Sequence, residues 1–272
     1  MKFAYKTLIV AATFVAANTA SAASGLNWLV VSGSGGLTFS ADALSALAAS
    51  GSNVITAPAV PTIAGLDISG ATNTAAYTKA TGNVSLTFSD ATVTGDSLTS
   101  LHAANSFVEI RRNIFNEDET ITKRSIFMAN FDVNLATSTI SADLYSRTNA
   151  GALVSYGTRS IFKADIAGVV GGTEGNIVVD VGPGGQPVGK ASGSLAGSLR
   201  MNLVTADLIL ADLGLSTDLI DPVAHLVRTA NWGTTQAEGT FVAPAIPEPS
   251  TYAMFGMGLL AVGAMVRRRT TA

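Results

Sequence analysis

The chain contains two histidines, His102 and His225, and no cysteine. A histidine beside a carboxylate and a serine can act as a general base, and two adjacent histidines can bind a metal ion. Without cysteine there is no disulfide, thiol nucleophile or thiolate metal site. His225 lies beside Leu226 in a helical pattern, and His102 lies in a loop-like stretch. We interpret both as residues without a catalytic or metal-binding role, and a serine triad stays open as an alternative.

Four acidic residues are candidates for polysaccharide chemistry, namely Glu109, Glu117, Asp118 and Glu119. Glycosidases use two carboxylates that flank the scissile bond, but spacing along a sequence does not give the gap between such groups. The run from Asn116 to Glu119 is typical of a solvated turn, and it matches no calcium-binding loop motif. We interpret it as a turn, and a secreted polysaccharide hydrolase is the leading alternative function.

Aromatic side chains and a glycine-rich stretch offer two further possibilities. In a lectin-like module, aromatic side chains could stack on sugar rings, and the candidates are Trp28, Trp232, Tyr145 and Tyr156. We predict instead that these four side chains pack in the core. The stretch Gly184 to Lys190 has the spacing of a phosphate-binding loop, but Ala191 occupies the position of the magnesium-binding hydroxyl. The sequence therefore indicates neither a cofactor nor a metal site.

The C-terminal tail has the most specific pattern in the chain. Residues 247–251 read Pro247, Glu248, Pro249, Ser250 and Thr251. The prolines prevent a helix or central strand, so this segment is predicted to be extended and accessible. The apolar run Tyr252 to Val266 would be about 20 Å long as a helix, shorter than a hydrocarbon core of about 30 Å. A basic stop that stays on the cytoplasmic side follows, formed by Arg267, Arg268 and Arg269.

This order of accessible motif, short apolar helix and basic stop resembles the C-terminal sorting signal of PEP-CTERM proteins. The resemblance covers residues 247 to about 269 and implies an exported Gram-negative protein that an exosortase recognises in the inner membrane. It further implies that this transpeptidase-like enzyme cuts near the motif, removes the tail and delivers the body to the cell surface or an exopolysaccharide matrix. Residues 244–272 are then the sorting tail, anchored only transiently in the inner membrane.

The N-terminus has the pattern of a secretory signal peptide. Lys2 and Lys6 precede an apolar stretch from Thr7 to Ala17, and Ala20 and Ala22 occupy the −3 and −1 positions of a cleavage site. We predict that a signal peptidase removes residues 1–22. Positive charges at both ends keep both ends cytoplasmic before processing, so the body between them is translocated.

Composition describes the body between these two signals. Only 13% of the residues are charged, which is typical of an exported β-rich protein rather than a cytosolic enzyme. Residues 23–246 contain 11 Lys and Arg against 18 Asp and Glu, a formal charge of −7. A net acidic body disfavours nucleic acid and anionic lipid as partners.

Most of the body has the alternation of β-strands. In residues 83–88, Val84, Leu86 and Phe88 alternate with hydroxyl residues, which predicts a hairpin with a turn at Asp90 and a return strand over 92–94. Residues 131–141 repeat the pattern and predict a second hairpin. Further strands are predicted over 26–31, 37–39, 107–115, 153–162, 176–181, 194–203 and 231–242, with 107–115 partly exposed. Residues 32–36 and 182–189 are predicted to be loops.

Two segments have helical patterns. Ser40 can cap a helix over 41–49 that ends before Gly51. Residues 53–76 follow and are predicted to form irregular edge structure that contains short strands. Residues 205–230 predict one or two helices, the second beginning near Asp218 with Pro222 in its first turn.

The sequence as a whole predicts a mainly β body over residues 23–243, a single sandwich or barrel-like domain with a small helical insertion. An N-terminal signal peptide and a short C-terminal transmembrane helix flank it. The predicted function is that of a non-catalytic surface or matrix protein in adhesion or biofilm cohesion, with exopolysaccharide as a partner. The alternatives are a polysaccharide hydrolase and a lectin-like module.

Overall fold

The computed structural model describes residues 28–95, 97–165, 175, 177–195 and 197–243. The predicted signal peptide, including Ala20 and Ala22, and the whole tail over 244–272 lie outside these ranges, as does the transmembrane helix predicted over 252–266. Among the helices within the described ranges, none is long and apolar enough to cross a membrane.

The described residues form mainly β structure, as the sequence predicts. The strands are β1 Leu29–Phe39, β2 Ser52–Ile55, β3 Ala75–Thr78, β4 Asn83–Phe88, β5 Asp90–Thr94, β6 Ser97–Phe115, β7 Ile121–Asn134, β8 Thr139–Thr148, β9 Val154–Ala164, β10 Val178–Val181, β11 Pro187–Gly193, β12 Leu199–Met201 and β13 Gly233–Val242. The helices are α1 Ala41–Ala49, α2 Leu203–Asp212 and α3 Pro222–Thr229.

The strands form two curled antiparallel sheets. Sheet A has the order β10-β11-β13-β1-β4-β3, and sheet B has the order β12-β9-β8-β7-β6-β2, with β5 also paired to β6. Their inward side chains belong to one apolar cluster, to which sheet A contributes Phe88 and Phe241 and sheet B contributes Ile126 and Leu144. Burial of this surface at about 25 cal/mol per Å² is the main source of stability in a chain without disulfides.

The prediction that residues 32–36 form a loop is wrong, because β1 continues through them. The run pairs with β4 on one side and β13 on the other, so it lies in the centre of sheet A. Glycine is needed at Gly35, where a Cβ would lie 2.7 Å from Cε2 of Phe88 and 2.6 Å from the carbonyl of Gln236. The glycine therefore makes room for the Phe88 ring instead of ending the strand.

The first predicted hairpin is also wrong, whereas the second is confirmed. β4 pairs with β1 and β3, but β5 pairs with β6, so the chain passes from sheet A to sheet B at Ser89. β7 and β8 do form a hairpin, with Asn134 opposite Thr139. Local alternation identifies both strands, but the choice of partner depends on which sheet buries each apolar face.

Strand β6 is much longer than the predicted segment 107–115, and a bulge divides it. Asn105 has a φ of 58° and its backbone N–H donates to Oδ1 of Asn130, at the point where the β6/β7 register shifts. Beyond the bulge the side chain of Phe107 points to the outer face of sheet B, where a second apolar cluster covers it. Residues 107–110 are consequently buried, and only the end of the predicted segment is exposed.

The helices confirm the predicted cap at Ser40 and the place of Pro222 in a first helical turn. Ser40 Oγ accepts from the backbone N–H of Ala43 at the start of α1. Helix α3 begins at Pro222, with Asp221 as its cap, and so starts later than the predicted position near Asp218. The C-terminus of α2 contacts sheet B, because Arg112 donates to the carbonyls of Leu213 and Gly214. Guanidinium groups at a helix C-terminus satisfy its free carbonyls and its dipole.

Two predicted segments between residues 182 and 203 need correction, one in sheet A and one in sheet B. The loop predicted over 182–189 is shorter, because Pro187 already begins β11. The strand predicted over 194–203 is reduced to β12, since helix α2 begins at Leu203 with Asn202 as its cap.

Candidate functional site

His102 lies in β6 and not in a loop, and its side chain contacts a carboxylate on the outer face of sheet B, outside the part that the second apolar cluster covers. Its Nδ1 is 2.7 Å from Oδ1 of Asp132, the residue directly opposite on β7. On the next strand Ser141 is opposite Asp132, and on the other side Asp90 is opposite His102. The hydroxyl therefore flanks the carboxylate instead of the imidazole, which is not the order a serine nucleophile requires.

His225 lies on another element, exposed on α3, where its backbone N–H bonds to the carbonyl of Asp221. Residues 28–95, 97–165, 175, 177–195 and 197–243 contain no group of three His, Cys, Asp or Glu side chains that could hold a metal ion.

Glu109 is buried and already paired. Its exposed fraction is 4%, and its two carboxylate oxygens accept from Nε and Nη2 of Arg111 at 2.7 Å each. The hydroxyl of Ser125 donates to the same carboxylate at 2.6 Å. These bonds satisfy the hydrogen-bonding capacity of a buried carboxylate and fix its position. Such an arrangement stabilises the sheet and leaves few lone pairs for a substrate.

The acidic turn is exposed, as predicted, and lies far from Glu109. Phe115, at the end of β6, follows Glu109 by six residue steps, a span of about 20 Å along the strand. The two carboxylates of a glycosidase are about 5 to 9.5 Å apart. The Asp118 carboxylate accepts two hydrogen bonds from Thr120, one from its hydroxyl and one from its backbone N–H. These bonds lower the pKa of Asp118, and the bond from the hydroxyl has the larger effect. The turn thus satisfies its own polar groups.

The four aromatic candidates are in or beside the core. Trp28, Trp232 and Tyr145 are 8%, 3% and 8% exposed, and the indole N–H of Trp232 donates to the carbonyl of Val227. Tyr156 is half-buried, and its hydroxyl donates to Oδ2 of Asp212 at 2.5 Å. Burial, followed by this hydrogen bond, raises the pKa of Tyr156. A stacking platform for sugars needs exposed rings, so these four residues do not supply one.

The stretch Gly184 to Lys190 forms no phosphate-binding site. Pro183–Gly185 is a single 3₁₀ turn, and β11 follows it instead of a helix. Lys190 lies in the middle of β11, opposite Val178 on one side and Thr240 on the other. A phosphate-binding loop depends on the N-terminus of a following helix, which is missing at this position.

The space between the sheets is small. A cavity of about 70 Å³ is lined almost entirely by apolar side chains, among them Leu37, Phe88, Met128 and Phe131. It is smaller than a cavity of about 150 Å³, the size that admits a single benzene ring. The shared core is therefore packed and is no cofactor site.

Sequence reasoning missed a wide concave surface on the outer face of sheet A. Two adjoining open depressions of about 890 Å³ and 730 Å³ lie there. They share four lining residues, one from each of four neighbouring strands: Ser192 of β11, Glu238 of β13, Ser34 of β1 and Thr87 of β4. We call the joined depressions the hydroxyl groove.

The strand register explains why polar side chains meet in this groove. The pairing of neighbouring strands places the four residues in one row across the sheet. Along this row the order is Ser192, Glu238, Ser34 and Thr87, and each residue lies directly opposite the next. All four are exposed, and Ser34 Oγ is 3.4 Å from Oε1 of Glu238. The alternation of apolar and hydroxyl residues in β4 was a signal for this face, but it did not reveal which other strands complete the row.

Comparison with known proteins informs the tail and not the body. Residues 245–269 match the family model described as the PEP-CTERM protein-sorting motif. No curated protein sequence matches the chain at a significant level. Among solved structures, the C-terminal domain of HtaA from Corynebacterium glutamicum is similar over 79% of this chain and 99% of that chain, at 11% identity and a TM-score of 0.40. A similarity this distant carries no functional information.

The matched segment contains all the residues that the sequence assigns to sorting, from Pro247 to Thr251 and from Arg267 to Arg269. Such a motif implies an exosortase as the processing partner, with export to the cell surface or the extracellular space. Residues 245–269 of this chain are a PEP-CTERM protein-sorting motif.

Proposed function

We propose that this protein is a non-catalytic surface or matrix protein of a Gram-negative bacterium, and that it acts in adhesion or biofilm cohesion after exosortase processing. The observation that carries the proposal is the sorting motif at residues 245–269. In this proposal residues 1–22 direct export and are removed. The apolar run 252–266 holds the precursor briefly in the inner membrane, and residues 23–243 act outside the cell as a single sandwich-like domain.

The polar groups of the body support a structural role. The carboxylate of Glu109 is occupied by Arg111 and Ser125, and the pair of His102 and Asp132 has its nearest cross-strand serine on the carboxylate side. Neither arrangement has the free acid and base that hydrolysis of a glycosidic bond requires. The exposed outer face of sheet A offers hydrogen-bonding groups over a wide area, which suits cohesion with a hydrated matrix.

The sorting step is tested by the mass and location of the mature protein from the native host, for the wild type and for Glu248→Ala. We expect the wild type to lack the residues after about Pro249, and the variant to stay in the inner membrane with its tail intact. A matched control is Glu117→Ala, which removes an exposed glutamate of the turn between β6 and β7. Retention of the tail in the wild type would identify the run 252–266 as a permanent anchor and contradict the proposal.

The non-catalytic role needs a separate measurement. The purified protein is incubated with polysaccharide, and new reducing ends are counted for the wild type and for His102→Ala. We expect no release above the buffer control in either sample. Release that disappears in the variant would identify a hydrolase and overturn the structural role, whatever the fate of the tail.

A further inference from the structure

We propose that the hydroxyl groove of sheet A binds a neutral polysaccharide strand that runs across β11, β13, β1 and β4. This inference rests on the proposed matrix function and assigns it a site. The partner is identified by three features of the groove, namely the spacing of its polar groups, its charge and the kind of contact it offers.

The spacing of the row fits a polymer of sugars. Ser192, Glu238, Ser34 and Thr87 belong to consecutive strands, and neighbouring strands in a sheet are about 4.8 Å apart. That distance is close to the length of one sugar residue in an extended chain. A strand lying along the row therefore meets one polar side chain per sugar, and the depressions on both sides leave room for the ring substituents.

Neighbouring rows continue the same chemistry. The row on one side consists of Gln236, Gly36 and Ser85, which lie opposite one another on β13, β1 and β4. The row on the other side consists of Lys190, Thr240 and Ser32 on β11, β13 and β1. Hydroxyl and amide groups both donate and accept, so they can match sugar hydroxyls in several orientations. Gly36 is required by the sheet itself, because a Cβ at this position would lie 2.3 Å from the carbonyl oxygen of Val84.

Charge selects a neutral polymer. The charged residues that line the groove are Glu238, at its centre, with Asp180 and Lys190 at one end. Glu238 is exposed, and a uronic acid polymer would bring its own carboxylates next to it. Like charges at close range repel, and the acidic body adds to this repulsion. A neutral polysaccharide avoids this cost and can donate hydroxyl hydrogen bonds to the Glu238 carboxylate.

The contacts are hydrogen bonds and not aromatic stacking. The aromatic side chain that contributes to the groove is Phe88, and it is 4% exposed because its ring points into the core. Exposed hydrogen bonds exchange with water and each contributes little net free energy. Binding is therefore expected to be weak for short oligosaccharides and to become measurable with long polymers, where several sites share one chain.

The test is affinity electrophoresis of the mature protein from the native host, in gels that contain dextran, a soluble mixed-linkage β-glucan or polygalacturonate. We expect at least one of the two neutral polymers to retard the wild type, and polygalacturonate not to do so. Arginines at both ends of the row, in the double variant Thr87→Arg and Ser192→Arg, fill the groove and should raise the apparent Kd at least about tenfold.

A control variant separates the site from general effects. Thr92→Arg adds the same side chain at an exposed threonine of β5 in sheet B and should bind like the wild type. Thermal unfolding of each variant checks that the fold is intact.

Three outcomes overturn the inference. They are no retardation by either neutral polymer, stronger retardation by polygalacturonate, and equal loss of binding in Thr92→Arg and in the groove variant. The proposed function has its own readout in the mass and location of the mature protein. A correctly sorted protein that binds no neutral polymer would therefore disprove the groove assignment alone.

Discussion

Both sheets consist of strands whose side chains point alternately into the core and outward, but the outer faces of the two sheets have different surroundings. On sheet A the outward residues of the central strands are mostly polar, and they line an open groove that exposed valines of β10 complete at one edge. On sheet B the outward residues Phe107, Phe127 and Tyr145 are apolar or aromatic, and residues 56–74 fold over them and contribute Val60, Ile63 and Leu66. The covered part of sheet B contributes to stability, whereas the groove on sheet A is open to solvent. The identity of the outward residue decides between these roles, since only an apolar face gains by being covered.

The largest expected effect tests the covered face. Phe127 is 1% exposed and stacks on Phe107 with ring centroids 5.4 Å apart. Replacing it with alanine leaves a cavity between the sheet and its cover, so Phe127→Ala should lower the free energy of unfolding by about 3–5 kcal/mol. Urea denaturation measures this change.

The matched control is Phe115→Ala, because Phe115 lies on the same sheet but is 79% exposed. Its loss should change the free energy of unfolding by no more than about 0.5 kcal/mol. Equal losses in the two variants would mean that residues 56–74 do not cover the face as described.

A smaller effect tests how the cover is attached. The amide of Asn73 donates to the carbonyls of Ala57 and Phe107, and its oxygen accepts from the N–H groups of Phe107 and Ala75. Asn73→Ala leaves these backbone groups without partners and should destabilise the protein by about 2 kcal/mol. Limited proteolysis should then cut within residues 56–74 before any other described loop.

Asn83→Ala on sheet A serves for comparison, since Asn83 has a single side-chain bond, to Thr38. It should neither open the cover nor change the free energy of unfolding by more than about 0.5 kcal/mol. Faster cleavage of residues 56–74 in this variant would argue against Asn73 as the specific attachment.

Alkaline pH offers a third test of the covered face. Burial, and then the charges of Asp143 and Asp67, raise the pKa of Tyr145 above its usual value of 10.0. A raised pKa in the folded state means that the contribution of Tyr145 is complete below pH 10 and is lost as pH rises through the folded pKa. Wild-type stability should therefore fall more steeply above pH 10 than that of Tyr145→Phe. Parallel curves of Tm against pH for the two proteins would contradict the burial of this phenol.

The smallest effect is expected on the open face. Thr87 is exposed on β4, and Thr87→Val exchanges its hydroxyl for a methyl group without changing the side-chain shape. The free energy of unfolding should change by no more than about 0.5 kcal/mol, because neither side chain leaves water on folding. A loss above about 1 kcal/mol in urea denaturation would show that this face is covered in solution, and the contrast between the two sheets would then fail.

Much of the local structure was predictable because it depends on residues close in sequence. The cap at Ser40, the place of Pro222 in the first turn of α3 and the alternation in β4 each follow from a few neighbouring residues. The glycines of β1 were misread as a loop for the same reason. Their role depends on the Phe88 ring, which is far away in the sequence.

The candidate site could not be predicted, since its row joins strands that begin as early as Leu29 and end as late as Val242. Single-strand patterns show which residues point the same way, but the pairing register decides which of them become neighbours. The contact of His102 with Asp132 was missed similarly, because the two residues meet only through the register of β6 and β7.

The sequence by itself determined the sorting motif, the mainly β character and the cap of α1 at Ser40. A sorting motif acts as a short extended segment and β-strands have a period of two residues, so neither needs distant contacts. The tertiary structure decided which outer face is covered, that Glu109 pairs with Arg111 and Ser125 beneath it, and that Ser34, Thr87, Ser192 and Glu238 form one row. Burial and strand register depend on the whole fold, and both are set only when the two sheets close on their shared core.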